Sequence, residues 1–188
     1  MQTNDIAIII LAAGQSSRFG SSKMHHCLES GKSILNTCLE QYQKSFKNIN
    51  VVLPDGDKAN QIMINPVVHV VVSKHAINGM SQSIISGVES QPDASAWLIA
   101  LGDMPYVRPE TVLNLAIKAT TNNIVVPMYG HRNGNPVIFG RNFYSQLMSL
   151  KGDVGAKKLI NDNVSSVLKV PVGDQGVLLD IDRPEDIL

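Results

Sequence analysis

The sequence predicts an α/β fold in which a mostly parallel, partly mixed central sheet lies between two layers of helices. Several short runs are apolar throughout, which is typical of strands buried on both faces of a sheet. These runs alternate with segments whose apolar residues recur at helical spacing. The last third of the chain is less regular, and we expect strands there to pair in both directions.

The composition indicates one folded domain that spans residues 1–188. Of these 188 residues, 44% are hydrophobic and 17% are charged, so the chain can bury a core and is too apolar to remain disordered. No Ser-, Gly- or Pro-rich linker, internal repeat or low-complexity tract divides it.

The charge balance favours a small ligand. The 16 Lys and Arg residues are matched by 16 Asp and Glu residues, so no overall field attracts a polyanion, and we expect no nucleic-acid partner. The N-terminus lacks the basic region and the length of a signal peptide or membrane span, so we expect a cytoplasmic protein without a membrane partner. In that compartment Cys27 and Cys38 are expected to be reduced.

The first half of the chain predicts four strands and two helices. Residues 6–11 form a continuous apolar run, and a Gly/Ser-rich stretch follows it. A helix is predicted over 33–46, where Ile34, Leu35, Cys38, Leu39 and Tyr42 recur at helical spacing. Strands are predicted at 49–53, 67–72 and 96–101, and a second helix at 80–89.

The second half begins with a helix that Pro109 opens, because proline suits the first helical turn. It leads to a strand at 124–128. Further strands are predicted at 136–139, 167–170 and 177–181, and helices at 144–150 and 155–161. In right-handed βαβ units ligands bind at the carboxyl ends of the strands, so the loops after Leu11, Val72 and Leu101 should meet on one edge.

The loop over residues 11–23 has the composition of an anion site. Its small residues allow backbone amides to approach a triphosphate, and Arg18 and Lys23 add two positive charges. The spacing fits neither the dinucleotide-binding G-x-G-x-x-G pattern nor the P-loop. A flexible surface turn is the alternative.

Six blocks in order resemble the nucleotidyltransferases, and within them the molybdenum-cofactor cytidylyltransferases of the MobA-like NTP transferase family. The first is Leu-Ala-Ala-Gly-x-Ser-x-Arg-x-Gly-x-x-Lys over residues 11–23. The others are Gly79-Met80-Ser81-x-Ser83, Gly102-Asp103-Met104-Pro105, Gly134-Asn135-Pro136-Val137, Gly152-Asp153-x-Gly155-Ala156 and Asp180-Ile181-Asp182-x-Pro184-Glu185-Asp186. The resemblance implies a three-layer Rossmann-like nucleotidyltransferase domain.

The resemblance also implies a reaction, in which an acceptor phosphate attacks the α-phosphorus of CTP and pyrophosphate leaves. A phosphate monoester is already nucleophilic, so no catalytic Ser, His or Cys is needed. Arg18, Lys23 and Asp103 are the expected catalytic residues, acting through electrostatics with Mg²⁺ as the cofactor. The implied acceptor is a molybdopterin-type cofactor, and a molybdenum hydroxylase is a possible partner protein.

Asp103 is the first expected metal ligand, because a lone carboxylate at a strand end beside the triphosphate loop suits Mg²⁺. A cap of the turn before Pro105 is the alternative. Asp180 and Asp182 are expected to face opposite sides of the predicted strand, so that at most one shares the metal. We expect this ligand to be Asp180, with Asp182 capping the following turn.

The nucleotide contacts are expected at two blocks. They are Leu11, Ala12, Ala13, Gly14, Arg18, Lys23, Gly79, Met80 and Ser81. Ser81 as a plain helix cap is the alternative for the second block. Ala13 favours CTP over GTP, because the guanylyl relatives usually carry glycine there and an extra methyl crowds a purine more than a pyrimidine.

The acceptor contacts are expected at Arg132, Asn135 and Asp153, for which a turn and a helix start are the alternatives. The adjacent His25, His26 and Cys27 are expected to be packed or solvated rather than a zinc site, since neighbouring side chains diverge.

Two other functions remain open. One is nucleotidyl transfer to a sugar or alcohol phosphate, and the other is non-catalytic carriage of a molybdenum cofactor.

Overall fold

Strand β1 (Ile6–Leu11) is buried along its whole length because its side chains enter two separate apolar layers. Ile6, Ile8 and Ile10 belong to one core cluster, whereas the alternating residues Ala7, Ile9 and Leu11 belong to another. Both faces of the sheet are therefore covered. The computed structural model describes residues 5–14, 19, 23–56, 68–153 and 155–188.

The described residues form one eight-stranded sheet. Its other strands are β2 (Ile49–Pro54), β3 (His69–Ser73), β4 (Ala96–Leu101), β5 (Ile124–Tyr129), β6 (Arg132–Asn133), β7 (Val137–Gly140) and β8 (Val167–Pro171). The order is β3-β2-β1-β4-β7-β5-β6, with β8 beside β5. Strands β1 to β4 pair in parallel, β8 is parallel to β5, and β7 runs antiparallel between β4 and β5. The prediction of a mostly parallel, partly mixed sheet is confirmed.

Two layers of helices enclose this sheet. The α-helices of the described chain are α1 (Ile34–Gln43), α2 (Met80–Glu89), α3 (Pro109–Lys118), α4 (Tyr144–Met148) and α5 (Lys157–Asp162). Helices α1 and α3 contribute Leu35 and Leu115 to the first core cluster. Helices α2, α4 and α5 contribute residues such as Ile84 and Leu147 to the second. The three-layer prediction is therefore also confirmed.

Capping residues fix where helices α1 and α3 begin. Ser33 caps α1, since its hydroxyl accepts a hydrogen bond from the amide of Asn36 at 3.2 Å. Pro109 opens α3 as predicted, and the buried Asp174 caps that helix from a distance. Its carboxylate accepts hydrogen bonds from Arg108 N at 2.9 Å and from Thr111 Oγ1 at 2.7 Å. Asp174 thereby ties the last part of the chain to the segment that follows β4.

The predicted strand at 177–181 is wrong. The chain forms a 3-10 helix at Gln175–Leu178 instead, where Gly176 packs tightly on the backbone of Tyr106. A Cβ at Gly176 would lie 2.1 Å from the carbonyl oxygen of Tyr106, so the chain turns here over the preceding loop. Val177 and Ile181 are buried by this packing rather than by strand pairing.

The other predicted elements are present, with ends that differ by a few residues. Val67, the first residue of the predicted third strand, lies outside the described residues, and the two-residue β6 was not predicted. Both Cys27, which is exposed, and Cys38, which is buried, are free thiols. Within the described ranges, no helix combines the length and apolarity needed to cross a bilayer.

Candidate active site

Three loops that follow parallel strands surround a cavity of about 740 Å³. The loop after β1 contributes Ala13 and Gly14, and the loop after β4 contributes Asp103. The segment between β3 and α2, together with the first residue of α2, contributes residues 76–80. The predicted meeting of these loops is confirmed, and it follows from the parallel strand order. The volume lies in the range of small-molecule binding sites.

Close packing of two loops places Asp103 at this cavity. The amide of Gly102 donates a hydrogen bond of 2.8 Å to the carbonyl oxygen of Leu11. A Cβ at Gly102 would lie 3.1 Å from that oxygen and 3.2 Å from the Cβ of Ala12, so a side chain there would separate the loops. Ala12, a predicted nucleotide contact, is buried in the core and is not among the described residues that line the cavity.

Lys23 joins two carboxylates that are distant in sequence. Its Nζ atom lies 2.8 Å from Asp103 Oδ2 and 2.9 Å from Asp182 Oδ1. The side chains of Lys23 and Asp103 are 8% and 17% exposed, whereas that of Asp182 is 42% exposed. Burial works to lower the pKa of Lys23, but its hydrogen bonds and charge interactions with Asp103 and Asp182 raise the pKa above 10.5. The ammonium therefore stays charged at neutral pH.

Asp103 has one carboxylate oxygen without a partner. Its Oδ2 atom binds Lys23, but its Oδ1 atom is buried and accepts no hydrogen bond from any described residue. Burial raises the pKa of Asp103 above its ordinary 3.8 against the opposing effect of Lys23, and the nearby charge of Asp180 also raises it. An unpaired buried oxygen is costly, so this atom is suited to binding a cation.

The expectation for Asp180 and Asp182 is wrong in its geometry. Positions two apart in an extended segment share a face, and both carboxylates line the cavity while Ile181 between them is buried. The amide of Ile181 donates a hydrogen bond of 3.0 Å to the carbonyl oxygen of Asp103, which holds this segment beside the loop after β4. Both aspartates therefore remain candidates to share a cation with Asp103.

Asp182 also does not cap the turn that follows it. That role belongs to Asp186, whose Oδ2 accepts hydrogen bonds from Asp182 N at 2.9 Å and from Arg183 N at 2.7 Å. The side chain of Asp182 instead binds Lys23. Among the described residues, no group of three or more His, Cys, Asp or Glu is arranged to hold a metal ion, and the Lys23 ammonium lies between Asp103 and Asp182.

The blocks at residues 79–81 and 152–153 meet at the start of α2. Gly79 and Met80 line the cavity, as does Asp153, whose Oδ1 accepts a hydrogen bond of 3.0 Å from Met80 N. The N-cap of α2 is Gly79, so a plain N-cap at Ser81 is wrong. The Ser81 side chain is fully buried and is not among the described residues lining the cavity.

The predicted acceptor contacts are not all brought together. Asp153 lines the cavity, but Arg132, exposed on β6, and Asn135 are not among its described lining residues. The amide of Asn135 donates a hydrogen bond of 2.9 Å to the carbonyl oxygen of Val177. Arg18 lies outside the described residues.

The histidine and cysteine cluster does not converge on one point. The His26 ring packs edge-on against Phe19, with the ring centres 5.1 Å apart. Cys27 is exposed, and its thiol lies 3.9 Å from the carbonyl oxygen of His25. In the described chain these residues belong to no group of three or more His, Cys, Asp or Glu side chains that could hold a metal ion.

The sequence prediction missed residues 76–78, which form a 3-10 helix before α2 and line the cavity. The Ile77 side chain is 76% exposed and that of Met80 is 41% exposed, so the cavity wall has an apolar surface. The available signal was their position at the end of a parallel strand, since Ala, Ile and Asn carry no distinctive chemistry at such a site.

Several proteins share this fold and part of this sequence. The structure of an Rv0371c homologue from Mycobacterium sp. strain JC1 superposes with a TM-score of 0.85 at 26% identity, covering 99% of this chain and 94% of that chain. A manganese complex of Rv0371c from Mycobacterium tuberculosis H37Rv gives a TM-score of 0.81 at 26% identity, covering 96% and 95%. Molybdopterin-guanine dinucleotide biosynthesis protein A from Archaeoglobus fulgidus shares the fold, with a TM-score of 0.73 at 20% identity over 96% and 94% of the two chains.

Curated relatives also match at the sequence level. The purine catabolism protein PucB of Bacillus subtilis is 27% identical over 192 residues, covering 95% of this chain and 92% of PucB. The bifunctional protein GlmU of Buchnera aphidicola is 27% identical over 160 residues, which cover 82% of this chain but 32% of GlmU. The chain thus spans about a third of the GlmU relatives. The family described as the MobA-like NTP transferase domain matches residues 8–167. This chain belongs to the MobA-like NTP transferase family, as the six sequence blocks predicted.

Proposed function

We propose that this protein is a Mg²⁺-dependent nucleotidyltransferase that transfers a cytidylyl group from CTP to the phosphate of a molybdopterin-type cofactor and releases pyrophosphate. One observation carries the proposal. Asp103 and Lys23, which are 80 residues apart, lie 2.8 Å from each other at the edge of the cavity, with Asp103 Oδ1 unpartnered among the described residues. Membership of an NTP transferase family supports the reaction class.

The charges at the cavity support a requirement for a divalent cation. Its described lining residues include one ammonium, from Lys23, and four carboxylates, from Asp103, Asp153, Asp180 and Asp182. Arg18 would add one more positive charge. A triphosphate is strongly repelled by such a surface unless a cation binds with it. The manganese complex of Rv0371c supports a divalent cation in a related protein, and we propose Mg²⁺ here.

The residues of the chain then have distinct roles. Asp103, with Asp180 or Asp182, would hold the cation, which when bound neutralises phosphate charge in the transition state. Lys23 and Arg18 would stabilise the charge that builds on the phosphates as pyrophosphate leaves. The acceptor phosphate is itself the nucleophile, so the chain has only to orient it and exclude water.

The wall beside β1 supports CTP as the donor. Ala13 is buried to 8% exposure and lines the cavity together with Gly14, so its methyl group narrows the space available to a base. A pyrimidine fits this narrower space more easily than a purine. We place the base between this loop and the apolar surface of Ile77 and Met80.

The identity of the acceptor is the most specific part of the proposal. Arg132 and Asn135 are not among the described residues that line the cavity, so they are proposed to contact the part of the acceptor that extends beyond it. A molybdenum hydroxylase is the proposed recipient of the product in the cytoplasm. A sugar or alcohol phosphate is the alternative acceptor. A non-catalytic carrier of the cofactor is disfavoured, because it needs no buried Lys–Asp pair facing a nucleotide-sized cavity.

Pyrophosphate release tests the proposal directly. Purified protein is incubated with Mg²⁺ and each of the four ribonucleoside triphosphates, with molybdopterin, with sugar phosphates, or without acceptor. We expect release with CTP and molybdopterin. Pyrophosphate release with a sugar phosphate but not with molybdopterin would show that the acceptor is a sugar phosphate. Binding of molybdopterin without turnover of any nucleotide would indicate a carrier.

A further inference from the structure

The turn at Gly152 and Asp153 satisfies the first backbone amides of α2. Asp153 Oδ1 accepts a hydrogen bond from Met80 N at 3.0 Å, and the carbonyl oxygen of Gly152 accepts one from Ser81 N at 3.3 Å. Amides in the first turn have no partner within the helix, and the N-cap, Gly79, has no side chain to supply one. The turn therefore does what an N-cap side chain does elsewhere.

The two segments are also packed backbone to backbone. A Cβ at Gly79 would lie 2.7 Å from the carbonyl oxygen of Gly152 and 2.9 Å from the Cα of Asp153. Gly79 has a φ of 112°, which glycine adopts without strain. A Cβ at Gly155 would lie 2.8 Å from the Met80 sulfur. The start of α2 thus has little room to shift relative to this turn.

We propose that Asp153 is a positioning residue for the nucleotide pocket rather than a contact to the acceptor. The inference rests on the proposed function, because it assigns the wall at residues 76–80 to the nucleotide. That wall carries the exposed side chains of Ile77 and Met80. A carboxylate at the N-terminus of α2 is favoured by the helix dipole, so its hydrogen bond fixes where Met80 lies.

Three variants separate the roles of this carboxylate. Asp153→Ala removes the hydrogen-bond acceptor for Met80 N, whereas Asp153→Asn keeps an oxygen that can accept it. Asp93→Ala is the matched control, since it removes an exposed aspartate from the loop beyond the other end of α2. Hydrogen–deuterium exchange reports on the first turn of α2, and calorimetry with CTP and Mg²⁺ reports on the pocket.

In Asp153→Ala, we expect exchange in the first turn of α2 to become about 3- to 10-fold faster and CTP to bind about 3- to 10-fold more weakly, as for loss of a helix cap. Asp153→Asn should recover most of both effects, Asp93→Ala should match wild type, and the KM for the acceptor should not change. Unchanged exchange, or a raised acceptor KM with unchanged CTP binding, would overturn the inference. If the wild-type protein binds none of the four nucleotides, the proposed function is wrong, and this inference is wrong with it.

Discussion

The ammonium of Lys23 lies 2.8 Å from the buried carboxylate of Asp103, although the two residues are 80 positions apart in the chain. The second carboxylate on that ammonium, Asp182, comes from a third segment and is more exposed. Lys23 therefore occupies the space between two candidate cation ligands. Its positive charge stabilises carboxylates that would otherwise repel each other.

Asp103→Asn should reduce nucleotidyl transfer by at least about 100-fold, because it replaces the charged ligand with a weak one while keeping its shape. The folded structure should be retained, since Asn is isosteric. Steady-state pyrophosphate release measures the first effect and urea unfolding the second. Turnover close to wild type in a folded Asp103→Asn protein would remove this residue from the mechanism, and Asp93→Asn provides the matched control.

Lys23→Met should increase the affinity for Mn²⁺ in the absence of nucleotide by about tenfold, because it removes a competing positive charge next to Asp103 and Asp182. The same variant should lose transfer activity. It should also be less stable without metal, since it leaves a buried carboxylate unpaired. Titration calorimetry with Mn²⁺ gives the affinity, and thermal unfolding with and without Mn²⁺ gives the stability. Equal or weaker Mn²⁺ binding would show that Lys23 does not compete with the ion.

Ala13→Gly should shift nucleotide preference from CTP towards GTP by about tenfold, which is the effect expected for one methyl group in a pocket. The readout is the ratio of kcat/KM for the two nucleotides. A general loss of loop order lowers both values and leaves their ratio unchanged. An unchanged ratio would show that the Ala13 methyl does not select the base.

Stability should fall at alkaline pH in part because of Cys38. Burial raises the pKa of this thiol far above its ordinary 9.0, so the folded protein keeps the proton that the unfolded chain releases. The contribution is therefore fully present below pH 9 and is lost as the pH rises. At pH 10 this loss is on the order of 1 kcal/mol.

Urea unfolding of wild type and Cys38→Ala at pH 7 and pH 10 measures the contribution of Cys38 to the alkaline loss of stability. We expect the variant to be less stable at pH 7, because it leaves a small cavity, but to lose less stability between the two pH values. Tyr42 is present in both proteins, and burial is the first cause of its raised pKa with the charge of Cys38 as a smaller cause, so most of its contribution cancels in the comparison. An identical alkaline loss in the two proteins would contradict the assignment.

The features that were predicted correctly are those that depend on residues close together in the sequence. The apolar run of β1 and its following loop, and Asp103 directly after β4, were located because strand order brings the ends of parallel strands together. Asp174 was missed because its partner Arg108 is 66 residues away. The relation of Asp180 to Asp182 was wrong because side chains two positions apart in an extended segment share a face. The predicted strand at 177–181 was wrong because Tyr106 and Asp103 hold that segment in an irregular conformation. Such contacts depend on tertiary packing, which local pattern does not encode.

A crystal structure with Mn²⁺ and a non-hydrolysable CTP analogue tests the central claim most directly, because the anomalous signal of manganese locates the ion. We predict that the ion lies about 2.2 Å from Asp103 Oδ1 and contacts the phosphates, with Lys23 moved onto them. An ion bound elsewhere, with Asp103 still paired only to Lys23, would contradict it.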